Sequence, residues 1–242
     1  MNAQKPVVTG WRCAACGTRV AISDVFSWRC PNSSDADRHH VLEIENAIAP
    51  LRSNGDSNPF IGFQRYLAWD AFAATLGLEF DSRTKIIRDL DDAVAKVAGT
   101  GFRTSPFLRN DALSDALGFA EQGGIWIKDE THNVAGSQKA RHLFTQLLHL
   151  IAVENVGRAP WRNQSERPQL AIASCGNAAI AASTLARAVD WPIQVFVPEH
   201  ADAPTLKILS ALNANVVRCA RLATDPPGDP CVFRFREAIV AG

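Results

Sequence analysis

Apolar residues change their spacing several times along the chain, and each change predicts an element. "FQRYLAWDAFAATLGL" (63–78) places them at helical intervals, with Trp69 and Phe72 on the core side. "SRTKIIRDLDDAVAKVAG" (82–99) predicts a second helix, capped by Ser82 and ended by Gly99. "SPFLR" (105–109) reads as a short extended piece, because the proline pushes Ser105 out of the helical region. "IWIKDE" (125–130) alternates like a strand, and after a loop a wide apolar stripe predicts a helix over 137–153. His142 and His149 lie on that helix and read as packing or surface residues. Beyond a hydrophilic linker, "LAIAS", "IQVFVP" and "ANVVRC" read as strands. They alternate with the helical segments "AAIAASTLARAV" and "DAPTLKILSAL". This β-α-β-α-β order over 170–219 predicts a parallel sheet with right-handed crossovers, followed by one more helix from about residue 230. The fold class is α/β.

Composition narrows the function classes. Of 242 residues, 47% are hydrophobic and 21% charged, which describes a folded globular chain. Lys plus Arg equals Asp plus Glu at 25 each, a balance that points to neither nucleic acid nor an anionic membrane as partner. No apolar run reaches the length of a membrane span, and "MNAQKPVVTG" lacks the apolar core of a signal peptide. The six cysteines do not form the framework of a secreted disulfide protein, so a cytoplasmic chain with reduced thiols is expected.

Three of those cysteines cluster. Cys13-x-x-Cys16-Gly17 is the knuckle of a zinc ribbon, where two thiolates from one tight turn take adjacent tetrahedral positions. Cys30-Pro31 supplies a third sulfur, and the second CxxC of a complete ribbon is missing. His40 or His39 can replace the fourth ligand, since imidazole binds zinc as well as thiolate does. The expected metal ligands are therefore Cys13, Cys16, Cys30 and His40. The same residues also describe a decayed ribbon that binds nothing.

Two turns carry the remaining chemistry. In "VAGSQKARHLF", Lys139 stands between a glycine-serine turn and an apolar helix, a place that an ordinary solvated lysine also takes. In "ASCGNAA" (173–179) a strand runs into a helix, and such a turn points free N–H groups at an anion. There is one glycine here, no G-x-G-x-x-G and no G-x-x-x-x-G-K-[ST] in the chain, so a small anionic group such as a carboxylate fits better than a pyrophosphate. Cys175, at a helix N-terminus, is a candidate nucleophile for a cysteine-dependent hydrolase, though no general base is identifiable.

Taken together, "KDETHNVAGSQKAR" (128–141) and "IASCGNAAIAAS" (172–183) resemble the paired motifs of the fold-type II pyridoxal-phosphate enzymes, the tryptophan synthase β superfamily. The family's S-F-K-x-R becomes Ser137-Gln138-Lys139-Ala140-Arg141, and its S-x-G-N becomes Ser174-Cys175-Gly176-Asn177. The cysteine knuckle and "RTSPFLR" (103–109) resemble the threonine synthase branch. The resemblance implies a pyridoxal 5'-phosphate cofactor bonded to Lys139, which then serves as the base at the substrate α-carbon. It implies Asn177 as a ligand of the cofactor's ring oxygen, and Ser174, Cys175, Gly176, Asn177 and Ala178 as the turn that holds a substrate carboxylate. The activity implied is that of a lyase on a hydroxy- or phosphohydroxy-amino acid, of the threonine synthase or threonine dehydratase kind. The implied partner is a small amino-acid substrate, with a homodimer for a full-length relative.

Two departures shape the expectations. Gln138 replaces the family's phenylalanine. The glycine-rich phosphate loop and the pyridine-nitrogen partner have no counterpart after Asn177, so the resemblance implies an incomplete, C-terminally truncated set of parallel-sheet domains. The expected parts are a zinc-ribbon-like segment at 1–45, a partial large domain at 46–160 and a small β-α-β-α-β domain at 161–242. The stripe Leu143, Phe144, Leu147, Leu148, Ile151 and Ala152 is then expected to lie exposed beside an open sheet edge, with the small domain better packed. A cofactor-free remnant or interaction module is the alternative to the enzyme.

Overall fold

The computed structural model describes residues 5–34, 36–119 and 121–241. The chain forms two compact units. One runs to Ala93 and resumes over Leu143–Pro168; the other takes Val94–His142 and the chain from Gln169 onward.

The first unit begins with three antiparallel strands, β1 (Val8–Cys13), β2 (Arg19–Ala21) and β3 (Leu42–Asn46), in the order β2-β1-β3. Val7, Val8, Cys13 and Val20 are its buried residues. Helices α1 (Pro59–Gly62) and α2 (Ala68–Thr75) and most of α3 (Phe80–Ala98) follow. Asn58 caps α1 by accepting from the Phe60 N–H, and its own amide donates to Asp91 at 2.9 Å. α3 starts at Phe80, with the Arg83 N–H bonded to the Glu79 carbonyl at 3.0 Å, so Ser82 lies inside the first turn and is not the cap. Gly99, at φ 75°, takes the left-handed conformation that ends the helix. Asp70 is fully buried and receives Arg83 Nε at 2.6 Å and Gln64 Nε2 at 2.7 Å, which offset part of the burial penalty that still pushes its carboxyl above the ordinary range.

In the second unit, β4 (Phe107–Arg109) pairs antiparallel with β5 (Trp126–Lys128), joined through α4 (Asp111–Ala116). A 3-10 turn at Val134–Gly136 then leads into α5 (Lys139–Asn155). The unit boundary falls inside α5, after His142. The rest is a parallel sheet of β6 (Leu170–Ala173), β7 (Ile193–Pro198) and β8 (Asn215–Cys219) in sequential order, with α6 (Asn177–Ala188) and α7 (Ala203–Ala211) as crossovers and α8 (Pro230–Ala241) last. Strand alternation sorts the two faces. Phe196, Ala171, Ala173, Val217 and Cys219 meet Cys231, Phe235 and Ala238 of α8. Ile193, Val195 and Val197 are buried on the opposite face, where α6 packs against β6 and β7, and α7 packs against β8. The parallel α/β architecture expected from the pattern is the one found.

The apolar stripe of α5 is not exposed. Phe144, Leu147, Leu148, Ala152 and Val153 are buried, with Phe144 against Phe60 of α1 at 4.6 Å between ring centroids. The hydrophobic effect recruited the preceding helical segment as a cover. Exposed apolar side chains lie instead on β4, β5 and α4, at Phe107, Leu108, Trp126 and Leu113, and in the first unit at Trp28, Val41, Ile48 and Leu51. β6 is half-buried throughout, because it forms one edge of a three-stranded sheet. Among the described residues, no helix is long and apolar enough to cross a membrane.

Candidate functional site

The lysine loop is built from sequence-local turns held by one charged network. Asn133 accepts from the Val134 N–H at 3.0 Å, and Ala135 (φ 55°) and Gly136 (φ 63°) both turn left-handed, which reverses the chain before the helix. Ser137 is buried, and its Oγ accepts from the Lys139 N–H at 3.4 Å. Lys139 is the first residue of α5 and is exposed. Two residues on, Arg141 reaches back across the loop. Its Nε donates to Glu130 at 3.0 Å, and its Nη2 donates to the Arg103 carbonyl at 2.7 Å and to Ser105 Oγ at 2.6 Å. Ser105 Oγ donates in turn to Glu130 at 2.7 Å, and Asn133 Nδ2 donates to the same carboxylate at 2.6 Å. Burial opposes the charge on Glu130, yet the donors Ser105, Asn133 and Arg141 outweigh it and hold its carboxyl at about 2. Glu130, Arg141, Ser105 and Asn133 were not singled out as functional from the sequence. The signal available was their presence in "RTSPFLR" and "KDETHNVAGSQKAR".

The second turn lies in the same unit. Ser174 continues β6, its N–H donating to the Phe196 carbonyl at 3.1 Å, and Ser174 Oγ accepts from the Gly176 N–H at 3.4 Å. Gly176 is the N-cap of α6, and no side chain caps the helix. The first N–H groups of α6, from Asn177 and Ala178, therefore face outward with the positive end of the helix dipole. A Cβ added at Gly176 would meet nothing within 4 Å, so the space over the turn is open to a ligand. Asn177 and Cys175 are exposed. α6 packs against the Val134–Gly136 turn, which brings the asparagine helix to the approach of Lys139. An exposed amine, an uncapped helix N-terminus and an open glycine turn fit a cofactor with an aldehyde and an anionic amino-acid substrate. Cys175 hydrogen-bonds to no base among the described residues.

The structure also brings Cys13, Cys16, Cys30 and His40 together: their ligand atoms all lie within 4.8 Å of one another. Cys13 Sγ is 3.5 Å from His40 Nδ1, and Cys16 Sγ is 3.6 Å from Cys30 Sγ. His39 is not part of the cluster. The Thr18 hydroxyl and N–H, with a lesser contribution from Asn32, hold the Cys16 thiol down at about 5 against the effect of burial. Burial raises the Cys13 thiol, but N–H groups of Cys16 and Ala15 bring it below its ordinary value; burial keeps Cys30 above. Hydrogen bonding to Cys16 and Cys13, then the charge of Asp37, raises His40. Asp37 and Asn32 are the members that sequence reasoning missed.

Residues 98–231 match the family model described as "Pyridoxal-phosphate dependent enzyme". No curated protein matches the chain. Similar solved structures include a pyridoxal 5'-phosphate-dependent aspartate racemase, 18% identical over 65% of this chain and 42% of that one, with a TM-score of 0.46. Maize serine racemase is 14% identical over 64% of this chain and 41% of that one, at a TM-score of 0.43. The serine racemase of Dictyostelium discoideum is 18% identical over 64% and 44%, at 0.42. The chain thus spans less than half the length of these structures, and the family match alone carries the assignment.

Proposed function

The chain belongs to the pyridoxal-phosphate-dependent enzyme family, and from that premise we propose that it processes an amino acid, with Lys139 and the Ser174–Ala178 turn as the working parts. The cofactor is pyridoxal 5'-phosphate. The observation that carries the reading is the packing of α6 against the turn that leads into Lys139, within one compact unit.

The resemblance implies the roles, and the residues suit them. Lys139 would hold the cofactor through its amine and, once the substrate amine has displaced it, its Nζ would be free to move the proton at the substrate α-carbon. The outward N–H groups of Asn177 and Ala178, aided by the α6 dipole, hold the substrate carboxylate with Ser174, Cys175 and Gly176 shaping the turn. The Asn177 side-chain amide would donate to the cofactor's ring oxygen. The Glu130–Arg141–Ser105 network fixes the loop, so that Lys139 arrives in register without rearrangement. The cofactor, when bound, supplies the electron sink for electrons released at the α-carbon. The substrate class is a hydroxy- or phosphohydroxy-amino acid, processed by a lyase reaction of the threonine synthase or dehydratase kind. Support comes from the "RTSPFLR" and cysteine-knuckle resemblances.

Titration of the chain with pyridoxal phosphate, followed by visible absorbance, tests the reading. The native chain is expected to develop the absorbance of a lysine-bound cofactor, and Lys139→Ala is expected to lose it. Equal absorbance from both would remove Lys139 from its role, and no absorbance from the native chain would favour a cofactor-free interaction module.

A further inference from the structure

We propose that Cys13, Cys16, Cys30 and His40 form a structural zinc site of three sulfurs and one nitrogen, with Asp37 orienting the imidazole. Zinc ligands at about 2.3 Å for sulfur and about 2.0–2.1 Å for nitrogen stand about 3.5–3.8 Å apart around a tetrahedron. The two distances in the cluster, 3.5 Å for Cys13 Sγ to His40 Nδ1 and 3.6 Å for Cys16 Sγ to Cys30 Sγ, match that spacing. All four ligand positions are filled by protein, which makes the site closed and structural; a catalytic site would leave one position for water.

The surroundings complete the argument. His40 turns Nδ1 to the sulfurs and its other nitrogen, Nε2, lies 3.2 Å from Asp37 Oδ2. A carboxylate on the far nitrogen fixes the tautomer that leaves Nδ1 free to ligate, and it strengthens the imidazole as a donor. The sulfurs are likewise supplied with hydrogen bonds: the Asn32 N–H donates to Cys30 Sγ at 3.4 Å and Asn32 Nδ2 to Cys16 Sγ at 3.6 Å. Such donors stabilise thiolates, the form that zinc binds.

The ligands come from the end of β1, the knuckle after it, a loop, and the residues just before β3. A metal there closes the loop over residues 22–29 onto the small sheet. That loop reaches α5: the Val25 carbonyl accepts from His149 Nε2 at 2.7 Å, and Trp28 meets the His149 ring edge-on at 5.2 Å between centroids. The metal is therefore inferred to hold a cover over the middle of α5 as well as the knot itself.

The test uses the full chain and reads metal independently of cofactor. Purified protein is expected to hold one zinc per chain by mass spectrometry, with X-ray absorption showing three sulfurs and one nitrogen. Cobalt(II) in its place is expected to give the intense absorption of a tetrahedral thiolate site. His40→Cys should keep the metal and change the shell to four sulfurs. Asp37→Asn should keep the shell and weaken zinc binding by about 10–100-fold. Bound zinc should protect Cys13, Cys16 and Cys30 from alkylation while exposed Cys175 reacts freely. Substoichiometric zinc with no protection of the three thiols would overturn the site, and an unchanged affinity in Asp37→Asn would overturn the role of Asp37.

Discussion

The cysteine knot and the lysine–asparagine region show two ways in which a chain prepares for a ligand. In the knot, four ligand atoms converge within 4.8 Å and each nitrogen or sulfur has a neighbour that suits its ligand form. Around Lys139 the working groups are exposed and the ordering effort lies one layer back, in Glu130, Arg141, Ser105 and Asn133. A structural site must be complete within the protein. A catalytic one must leave its amine and its helix N-terminus open to molecules that arrive later.

The largest difference between the two regions should appear on chelation. Removing the proposed zinc is expected to release the strands at 8–13 and 42–46 to rapid hydrogen exchange while the strands at 170–173 and 193–198 stay protected, because the proposed ligands close the first region alone. Equal loss of protection in both would dissolve the distinction.

Next in size is the network behind the lysine. Glu130→Ala removes the shared acceptor of the Ser105 hydroxyl, the Asn133 amide and Arg141 Nε, and losing it should cost about 2–3 kcal/mol in denaturant unfolding. The same variant should hold pyridoxal phosphate less tightly, since Lys139 loses its fixed approach. A variant as stable as the native chain would show that the network does not pin the loop.

Acid should act on the same network. The carboxyl of Glu130 lies at about 2 in the folded chain against an ordinary 4.5, so the unfolded chain takes up the proton first as pH falls. The stabilisation is whole above pH 4.5 and is lost progressively toward pH 2; Glu130→Gln should flatten that part of the stability profile. Smaller still is the effect of His149, whose imidazole burial holds below its ordinary 6.5. Protonation of the unfolded chain then favours unfolding as pH drops below 6.5, and His149→Phe should remove that slope.

Much of the fold was legible because periodicity reports burial directly. Alternation marked β5, and short apolar runs marked β6, β7 and β8, whose parallel order followed from the helices between them. The strands of the N-terminal sheet were not legible, since knuckle cysteines and charged positions such as Glu43 and Glu45 replace a regular apolar pattern. The cover over α5 was missed for a different reason. A stripe records that a helix needs a partner but not which partner, and here Phe60 and Phe72 belong to the preceding helices. In the candidate site, Lys139, Asn177 and the three cysteines stood out by motif. Asp37, Glu130 and Arg141 act through contacts that sequence spacing does not reveal: Ser105 and Arg141 are brought together only by the fold.

The central claim is that Lys139 is the residue to which the cofactor is joined, and reduction followed by peptide mapping tests it most directly. After pyridoxal phosphate is bound, borohydride fixes it to its lysine, and digestion locates the label. The account predicts the label on the peptide that contains Lys139 and none on those that contain Lys128 or Lys207. Label on Lys128 or Lys207 in place of Lys139 would contradict it.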